Sequence, residues 1–177
     1  YRIASLILKQ ARGKNRFSVL FIGLGGNTSS ALVDRENPKI HQVIVEIDPL
    51  IIQACEEFFE LNKLRNTEII QSDIFALLPK KKKAWQNTFD AIVIDTFDAN
   101  PPYLLKGSHD PKFLEQLLAW LKPDGMFLFN IPVKTEGKDI PALLAYLNSI
   151  FNQQKHEIIR DPRGYQNHVI SAAGKKV

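Results

Sequence analysis

The sequence predicts an α/β fold in which a mostly parallel seven-stranded sheet carries helices on both faces and closes with an antiparallel hairpin. Five nearly continuous apolar segments each precede a helical pattern, which is typical of parallel strands buried on both faces. The last two strand-like segments are separated only by Asp161–Gly164, a turn too short for a parallel crossover. The chain has 177 residues, 45% of them hydrophobic, which fits one domain with its own core.

The first half of the chain alternates helices and strands. Ile3, Leu6 and Ile7, ahead of the breaker Gly13, predict an opening helix. Asp48 followed by Pro49 is a typical helix start, because the carboxylate caps the first turn and proline has no N–H to leave unpaired there. The further predicted elements are a strand over Phe17–Ile22, a helix over Thr28–Asp34, a strand over Gln42–Glu46, a helix from Pro49 through Phe59, a strand over Thr67–Gln71 and a short helix over Ile74–Leu78.

The second half continues the alternation and then changes direction. Phe89–Ile94 has no polar face and predicts a central strand, and Asp110 with Pro111 repeats the capping signature. The remaining predicted elements are a helix over Phe113–Leu121, a turn over Lys122–Gly125, a strand over Met126–Ile131, a helix over Ile140–Phe151, and the two hairpin strands His156–Arg160 and His168–Ala172.

Composition narrows the class of protein. The single cysteine, Cys55, cannot form an internal disulfide, which favours a reducing compartment, and we expect a cytoplasmic protein. No apolar stretch approaches the roughly 20 residues of a membrane span. Part of the net charge of +4 comes from Lys80–Lys83, which we interpret as a solvated loop, since no aromatic residues interleave the lysines as nucleic-acid binding would require. Because the chain begins at Tyr1 within a helical pattern, we expect upstream residues to be missing.

Residues with chemical potential follow four of the predicted strands. In an open parallel sheet, ligands bind at the carboxyl ends of the strands. Gly23–Asn27 follows the first strand, Glu46 ends the second about twenty residues later, and Asp73 follows the third. Asp95 and Asp98 follow the fourth. Each has a purely structural interpretation, as a packing turn, an exposed strand end, a helix cap or a loop turn, but their coincidence at one edge predicts a nucleotide site.

Several other chemistries are disfavoured. A nicotinamide cofactor would want G-x-G-x-x-G, but Thr28 stands where the third glycine belongs, and Asp73 would serve a dehydrogenase no purpose. The four histidines have no metal-ligand spacing, so we predict no metal. Neither a Ser-His-Asp order nor a nucleophile elbow is present. The carboxylates therefore favour recognition of an adenosine without a pyrophosphate.

Five segments carry a family resemblance. The chain resembles the spermidine synthase-like branch of the class I S-adenosylmethionine-dependent methyltransferase superfamily over roughly Tyr1–Ile131. The segments that carry the resemblance are IGLGGNTSSAL, VEIDPLIIQACEEFF, QSDIFALL, FDAIVIDTFDANPPYLL and FLEQLLAWLKPDGMFLFNI. The resemblance implies that superfamily's Rossmann-like fold. Its more specific parts are Val45–Pro49 and the D-x-x-D of Asp95 and Asp98, whereas the glycines are generic.

The resemblance also implies roles for individual residues. Glu46 would hold the ribose of S-adenosylmethionine or its decarboxylated form, and Asp73 would hold the adenine. Asp95 and Asp98 would be the catalytic pair, facing an amine and helping to remove its proton, and Tyr103 would line the substrate mouth. Asp95 would also border the cofactor. The remaining cofactor-binding residues would be Gly23, Gly25, Gly26, Ile47 and Ile74.

The acceptor and the transferred group stay open at this stage. Where aminopropyltransferases carry Tyr-His-Glu, this chain has Tyr1-Arg2-Ile3, and Gly26 replaces an acidic residue of their glycine motif, which favours methyl transfer. Aminopropyl transfer to putrescine and a noncatalytic nucleotide-binding scaffold are the alternatives. The substrate would be a small amine or a protein, and relatives commonly form homodimers. Asn100–Tyr103 spells the N-P-P-Y of amide and adenine methyltransferases, but it lies five residues too late, so we interpret its prolines as rigid loop structure.

Overall fold

Seven strands form one sheet in the computed structural model, which describes residues 2–81, 83–97, 106–132, 139–160 and 166–176. The strands are β1 (Ser18–Ile22), β2 (His41–Glu46), β3 (Thr67–Gln71), β4 (Phe89–Ile94), β5 (Leu121–Pro132), β6 (Phe151–Arg160) and β7 (Gln166–Lys175). Their order is β3-β2-β1-β4-β5-β7-β6. The first five strands pair in parallel, and β7 pairs antiparallel with both β5 and β6. The predicted fold class is therefore confirmed.

Helices connect the strands and start where the sequence indicates. They are α1 (Arg2–Ala11), α2 (Thr28–Glu36), α3 (Pro49–Phe58), α4 (Ile74–Lys81), α5 (Pro111–Leu118) and α6 (Asp139–Ile150), with a short 3₁₀ helix over Leu61–Lys63. The Asp48 carboxylate accepts from the Leu50 N–H at 2.9 Å, and that of Asp110 accepts from the Lys112 N–H at 2.7 Å. Both predicted caps are thus confirmed.

The sheet is buried on both faces. On one face, alternate residues of β1, β2, β4 and β5 pack with α1, α2 and α3, with Ile7, Val33 and Cys55 among the helix residues. On the other face, the intervening residues pack with α4, α5 and α6, for example Leu77 and Leu114. Because every residue of β4 is buried, this strand has no polar face, as predicted.

The boundary between α5 and β5 differs from the prediction. The helix ends at Leu118 rather than Leu121, and β5 begins at Leu121 rather than Met126. Leu121 pairs with Phe89 and Met126 with Ala91, so the predicted turn at Lys122–Gly125 is an irregularity within the strand. Leu121 is fully buried. Its place in the strand gives its backbone groups hydrogen-bond partners and keeps its apolar side chain in the core.

Several other elements run further than predicted, among them α2, which ends at Glu36 rather than Asp34. The helix α4 continues through Pro79 to Lys81, so part of the lysine run is helical rather than loop. The strands β6 and β7 are each ten residues long. The exposed polar residues of β6 suit its position at the edge of the sheet, where it pairs with β7 alone. The predicted turn at Asp161–Gly164 lies outside the described residues. Within the described ranges, no helix has the length and apolar character to cross a bilayer.

The register brings the carboxyl ends of the central strands level. Backbone hydrogen bonds continue one step past the strands: the Gly23 N–H donates to the Val45 carbonyl at 2.8 Å, and the Asp95 N–H donates to the Ile22 carbonyl at 2.9 Å. The Ser72 N–H donates likewise to the Glu46 carbonyl at 2.9 Å. The residues that follow β1, β2, β3 and β4 are therefore held by the ladder at one edge of the sheet.

Candidate active site

A cleft of about 340 Å³ opens at this edge of the sheet. Its volume falls in the range of about 300–1,000 Å³ that is usual for small-molecule sites. We call it the first cleft. It is lined by Ile22, Gly23, Gly25, Val45, Glu46, Ile47, Asp48, Ile51, Ser72, Asp73, Ile74, Asp95, Thr96 and Phe97. The site thus lies where open parallel sheets usually bind ligands, outside the carboxyl ends of the strands.

The turn after β1 forms one wall of this cleft. Gly23 has a φ of +97° and Gly25 a φ of +51°, backbone conformations that side-chain-bearing residues rarely adopt. A Cβ on Gly23 would lie 2.3 Å from the Asp95 carbonyl oxygen, so only glycine fits between the two strand ends. The thiol of Cys55 in α3 donates to the Gly25 carbonyl at 3.0 Å and fixes the turn from behind. Burial raises the pKa of that thiol, and Glu46 adds to the effect.

Glu46 holds the glycine turn as well as facing the cleft. Its Oε2 accepts from the Leu24 N–H at 2.9 Å, and its Oε1 accepts from the N–H groups of Ile47 and Asp48 at 2.8 and 3.0 Å. A carboxylate offers about four acceptor positions, so these three bonds leave one position on Oε2. That position suits a hydroxyl donor such as those of a ribose.

Asp73 combines two roles that the sequence left as alternatives. Its Oδ1 accepts from the Phe75 N–H at 2.8 Å and so caps α4. Its other carboxylate oxygen makes no hydrogen bond to the described residues, and the residue lines the first cleft. The cap fixes the side chain in place and leaves one oxygen for a ligand amine.

Apolar side chains flank the carboxylates. Ile47 and Ile74 both line the first cleft. Ile47 is 61% exposed, whereas Ile74 is 5% exposed. Phe97 at the mouth is half exposed. Apolar surface of this kind can cover a flat heterocycle such as adenine, whose edges the carboxylates would bind.

Asp95 is a partly buried carboxylate of the cleft. Burial raises the pKa of its side chain, and a hydrogen bond from the Asn130 Nδ2 to its Oδ1, at 2.8 Å, acts in the opposite direction. Asn130 lies near the end of β5, immediately after the Phe129–Ile94 pair. The two side chains therefore meet across neighbouring strands.

Two further clefts meet at Asp95. The second, about 280 Å³, includes Gly26, Thr28, Asn130 and Asn167 among its lining residues. The third, about 190 Å³, adds Arg2 and Ile159. Since Asp95 lines all three clefts, it stands between the first cleft and the space that lies toward β5 and β7.

The residues present fit an adenosyl nucleotide. The first cleft combines four carboxylates, a glycine turn that a Cβ would block and flanking apolar side chains. Thr96 also contributes a buried hydroxyl with no hydrogen-bond partner among the described residues. Within those residues, no group of three or more histidine, cysteine or acidic side chains is arranged to hold a metal ion.

Most residues predicted for the site lie together. Gly23, Gly25, Glu46, Ile47, Asp73, Ile74 and Asp95 line the first cleft, and Gly26 lines the second. Asp98 and Tyr103 lie outside the described residues, so their roles stay predictions. Sequence reasoning missed Asp48, Thr96 and Phe97 in the first cleft and Asn130 beside Asp95. The signal for Asn130 was available, because it is a polar residue at the end of the apolar run Met126–Ile131.

Comparisons with known proteins agree with this geometry. The model of the family described as "Methyltransferase domain" matches residues 18–172. A polyamine aminopropyltransferase of Vibrio vulnificus is 29% identical over 63% of this chain and 36% of its own length. An eEF1A lysine and N-terminal methyltransferase homolog of Drosophila melanogaster is 26% identical over 71% of this chain and 19% of its own length. The chain thus spans well under half of either relative.

A solved structure shares the fold. Human Methyltransferase-like protein 13, in complex with SAH, superposes with a TM-score of 0.73 at 21% identity, covering 98% of this chain and 76% of that one. The resemblance predicted from the sequence is confirmed at the level of family and fold. Because one relative is named as an aminopropyltransferase and the other as a methyltransferase, the comparisons support a transferase and do not separate the two reactions.

Proposed function

We propose that this chain, which belongs to the methyltransferase domain family, binds S-adenosylmethionine in the first cleft and alkylates an amine held beside Asp95. The observation that carries this proposal is the gathering of Glu46, Asp73 and Asp95 around the glycine turn in one cleft. Sulfonium nucleotides carry no pyrophosphate, so recognition has to come from groups that bind ribose hydroxyls and the adenine amine. The carboxylates supply such groups.

Each part of the nucleotide has a matching residue. The free position on the Glu46 carboxylate would accept a ribose hydroxyl, and the unbonded oxygen of Asp73 would accept the adenine amine. Ile47 and Ile74 would cover the base. The bare backbone of Gly23 and Gly25 would give room to the methionine-derived arm.

The bound nucleotide would supply an electrophilic carbon whose bond to sulfur breaks with its electron pair left on sulfur. Asp95 would act on the attacking nitrogen. An ammonium has no lone pair, so it must lose a proton before it can attack, and a carboxylate within reach can accept that proton and pass it to water. Burial raises the pKa of Asp95 and makes it a better proton acceptor than an exposed carboxylate. Holding the nitrogen in line would supply most of the remaining rate.

Charge near the third cleft favours methyl transfer over aminopropyl transfer. Arg2 lines this cleft and forms an ion pair with Glu157, its Nη2 lying 2.6 Å from Oε2. The Lys155 Nζ lies 2.9 Å from the other oxygen of Glu157, so the group carries two positive charges and one negative. A diamine such as putrescine would bring a second ammonium toward these cations, a modest repulsion that water and salt screen, because the Arg2 and Lys155 side chains are 36% and 61% exposed. A single amine, on a small molecule or a lysine side chain, avoids that repulsion.

Calorimetric titration with three ligands tests the proposal. We expect S-adenosylmethionine to bind more tightly than both its decarboxylated form and methylthioadenosine. A preference for the decarboxylated form would favour aminopropyl transfer, for which the similarity to the Vibrio vulnificus enzyme is the supporting observation. Binding of none of the three would overturn the proposal and favour a noncatalytic scaffold.

A matched pair of variants locates the site in the same titration. Glu46→Gln should weaken nucleotide binding, because Glu46 faces the first cleft. Glu68→Gln should leave it unchanged, since Glu68 is an exposed residue of β3 that does not line the cleft. Equal effects of the two substitutions would count against the assignment.

A further inference from the structure

Asn130 carries a buried polar atom that the fold does not satisfy. The residue is 8% exposed, and its Nδ2 donates to Asp95 at 2.8 Å. Its Oδ1 is buried and has no hydrogen-bond partner among the described residues. Buried polar groups in native proteins are nearly always paired, so an unpaired amide oxygen indicates a partner that arrives with a ligand.

The position of Asn130 shows where that partner would bind. Asn130 lines the second and the third cleft and not the first, whereas Asp95 lines all three. Its amide orientation follows from chemistry, because an ionised carboxylate only accepts hydrogen bonds and the NH₂ group must face Asp95. The oxygen is then the group left for a donor. Gln42 also has a buried unpaired amide oxygen but lines none of the three clefts.

We propose that Asn130 orients the substrate: its Oδ1 accepts one N–H of the acceptor amine while its Nδ2 holds Asp95, which accepts another. This inference rests on the proposed function. An amine bound to both acceptors has its nitrogen fixed between the ends of β4 and β5, neighbouring strands about 4.8 Å apart. Two N–H donors are needed to satisfy both, so the pair selects primary amines over alcohols, which have one O–H, and over tertiary amines.

If the role of Asn130 were limited to positioning Asp95, its removal would have a different effect on amine binding. If Asn130 only held the carboxylate, its removal would change proton transfer and leave amine recognition intact. If it contacts the substrate, its removal lowers the affinity for an amine even when no reaction takes place. Binding measurements without turnover therefore separate the two roles.

The experiment uses adenosine thioethers with different arms on sulfur. One carries a 2-aminoethyl arm, one an isosteric propyl arm, and one a 2-(dimethylamino)ethyl arm that keeps the charge and a single N–H. Calorimetry on the wild-type chain should show the primary amine binding at least about tenfold more tightly than either of the others, as expected for hydrogen bonds to a charged group.

Variants then assign this preference to Asn130. Asn130→Leu, of similar size, and Asn130→Ala should each reduce the advantage of the primary amine by about tenfold, while the propyl analogue binds as it does to the wild type. Gln42→Leu removes a buried amide away from the clefts and should leave the advantage unchanged. Unaltered binding of the propyl analogue also shows that the variants are folded.

Each other outcome has a defined meaning. Failure of the wild type to bind any of the analogues overturns the proposed function, and this inference with it. Binding without preference for the primary amine, or a full preference in either Asn130 variant, overturns the inference while the proposed function stands. If both variants lose the propyl analogue, equal binding of the primary and dimethylated amines to the wild type still overturns the inference.

Discussion

The backbone of Gly23 lies directly against the carbonyl group of Asp95. A Cβ placed on Gly23 would come within 2.3 Å of that oxygen and 2.7 Å of the Thr96 methyl carbon. The two residues follow adjacent parallel strands, and the Asp95 N–H donates to the carbonyl of Ile22, the residue before Gly23. The turn that lines the first cleft and the carboxylate proposed to act on the substrate are thus parts of one rigid junction.

Gly23→Ala should therefore damage both stability and nucleotide binding. The φ of +97° costs a side-chain-bearing residue about 1–3 kcal/mol, and the Cβ would push the end of β4 away. We expect a lower melting temperature and at least about tenfold weaker binding of S-adenosylhomocysteine, by thermal unfolding and calorimetry.

Gly26→Ala is the matched control within the same turn. The nearest atom to an added Cβ there is the Thr28 Oγ1 at 3.9 Å, an ordinary contact. Its stability should stay within about 0.5 kcal/mol of the wild type. Equal losses in the two variants would show that the turn tolerates no side chain at all, and that the contact with Asp95 is not the cause.

Glu46→Gln should loosen the turn and weaken nucleotide binding. The carboxylate accepts three backbone N–H groups, and an amide has only one oxygen to offer them. Replacing an acceptor oxygen with an NH₂ group turns at least one hydrogen bond into a repulsive contact, at a cost of about 1.5–3 kcal/mol. Hydrogen exchange at the Leu24 amide should accelerate in the variant. Unchanged protection of that amide would contradict the role we assign to Glu46.

Asp95→Asn should lower turnover and raise stability at neutral pH. Loss of a general base typically costs about 10²–10⁴-fold in rate, whereas nucleotide affinity should be retained. Because burial raises the pKa of Asp95 in the folded state, the folded protein holds its proton more tightly than the unfolded chain does. The stability of the wild type is therefore lost as the pH rises through the folded pKa, and the asparagine variant avoids that loss.

Denaturant unfolding from pH 3 to pH 8 tests whether the wild type loses stability as Asp95 ionises. The stability difference between Asp95→Asn and the wild type should grow in favour of the variant above about pH 4, the ordinary pKa of an aspartate, and then level off. A difference that is constant across the range would contradict the proposed burial effect. Turnover that survives the substitution would contradict the catalytic role.

His168 should reduce stability at mildly acidic pH. Burial lowers its pKa, and the nearby His156 lowers it further, with the His156 Nε2 lying 2.8 Å from the His168 Nδ1. As the pH falls below about 6.5, the unfolded chain takes up a proton that the folded chain resists, so stability declines. His168→Gln should flatten this decline between pH 7 and pH 5. His156→Gln should preserve most of the decline in stability, because burial is the larger cause of the lowered pKa of His168. If the stability of His156→Gln did not change between pH 7 and pH 5, His156 would be the larger cause instead.

The sequence predicted the elements whose signals are local. The caps at Asp48 and Asp110 and the apolar run of β4 need only neighbouring residues to be recognised, and all three are confirmed. The predictions failed where a distant partner decides the structure. Leu121 joins β5 because Phe89 is there to pair with it. A local rule also failed at Pro79, where α4 continues although proline usually ends a helix.

For the site, the sequence by itself determined which residues follow the central strands, because chain order and apolar runs place Gly23, Glu46, Asp73 and Asp95 at strand ends. Tertiary structure decided what each residue does there. The bonds from Glu46 to the glycine turn and from Asn130 to Asp95 join residues 22 and 35 positions apart. Such contacts depend on strand order and register, which only the packing of the whole sheet fixes.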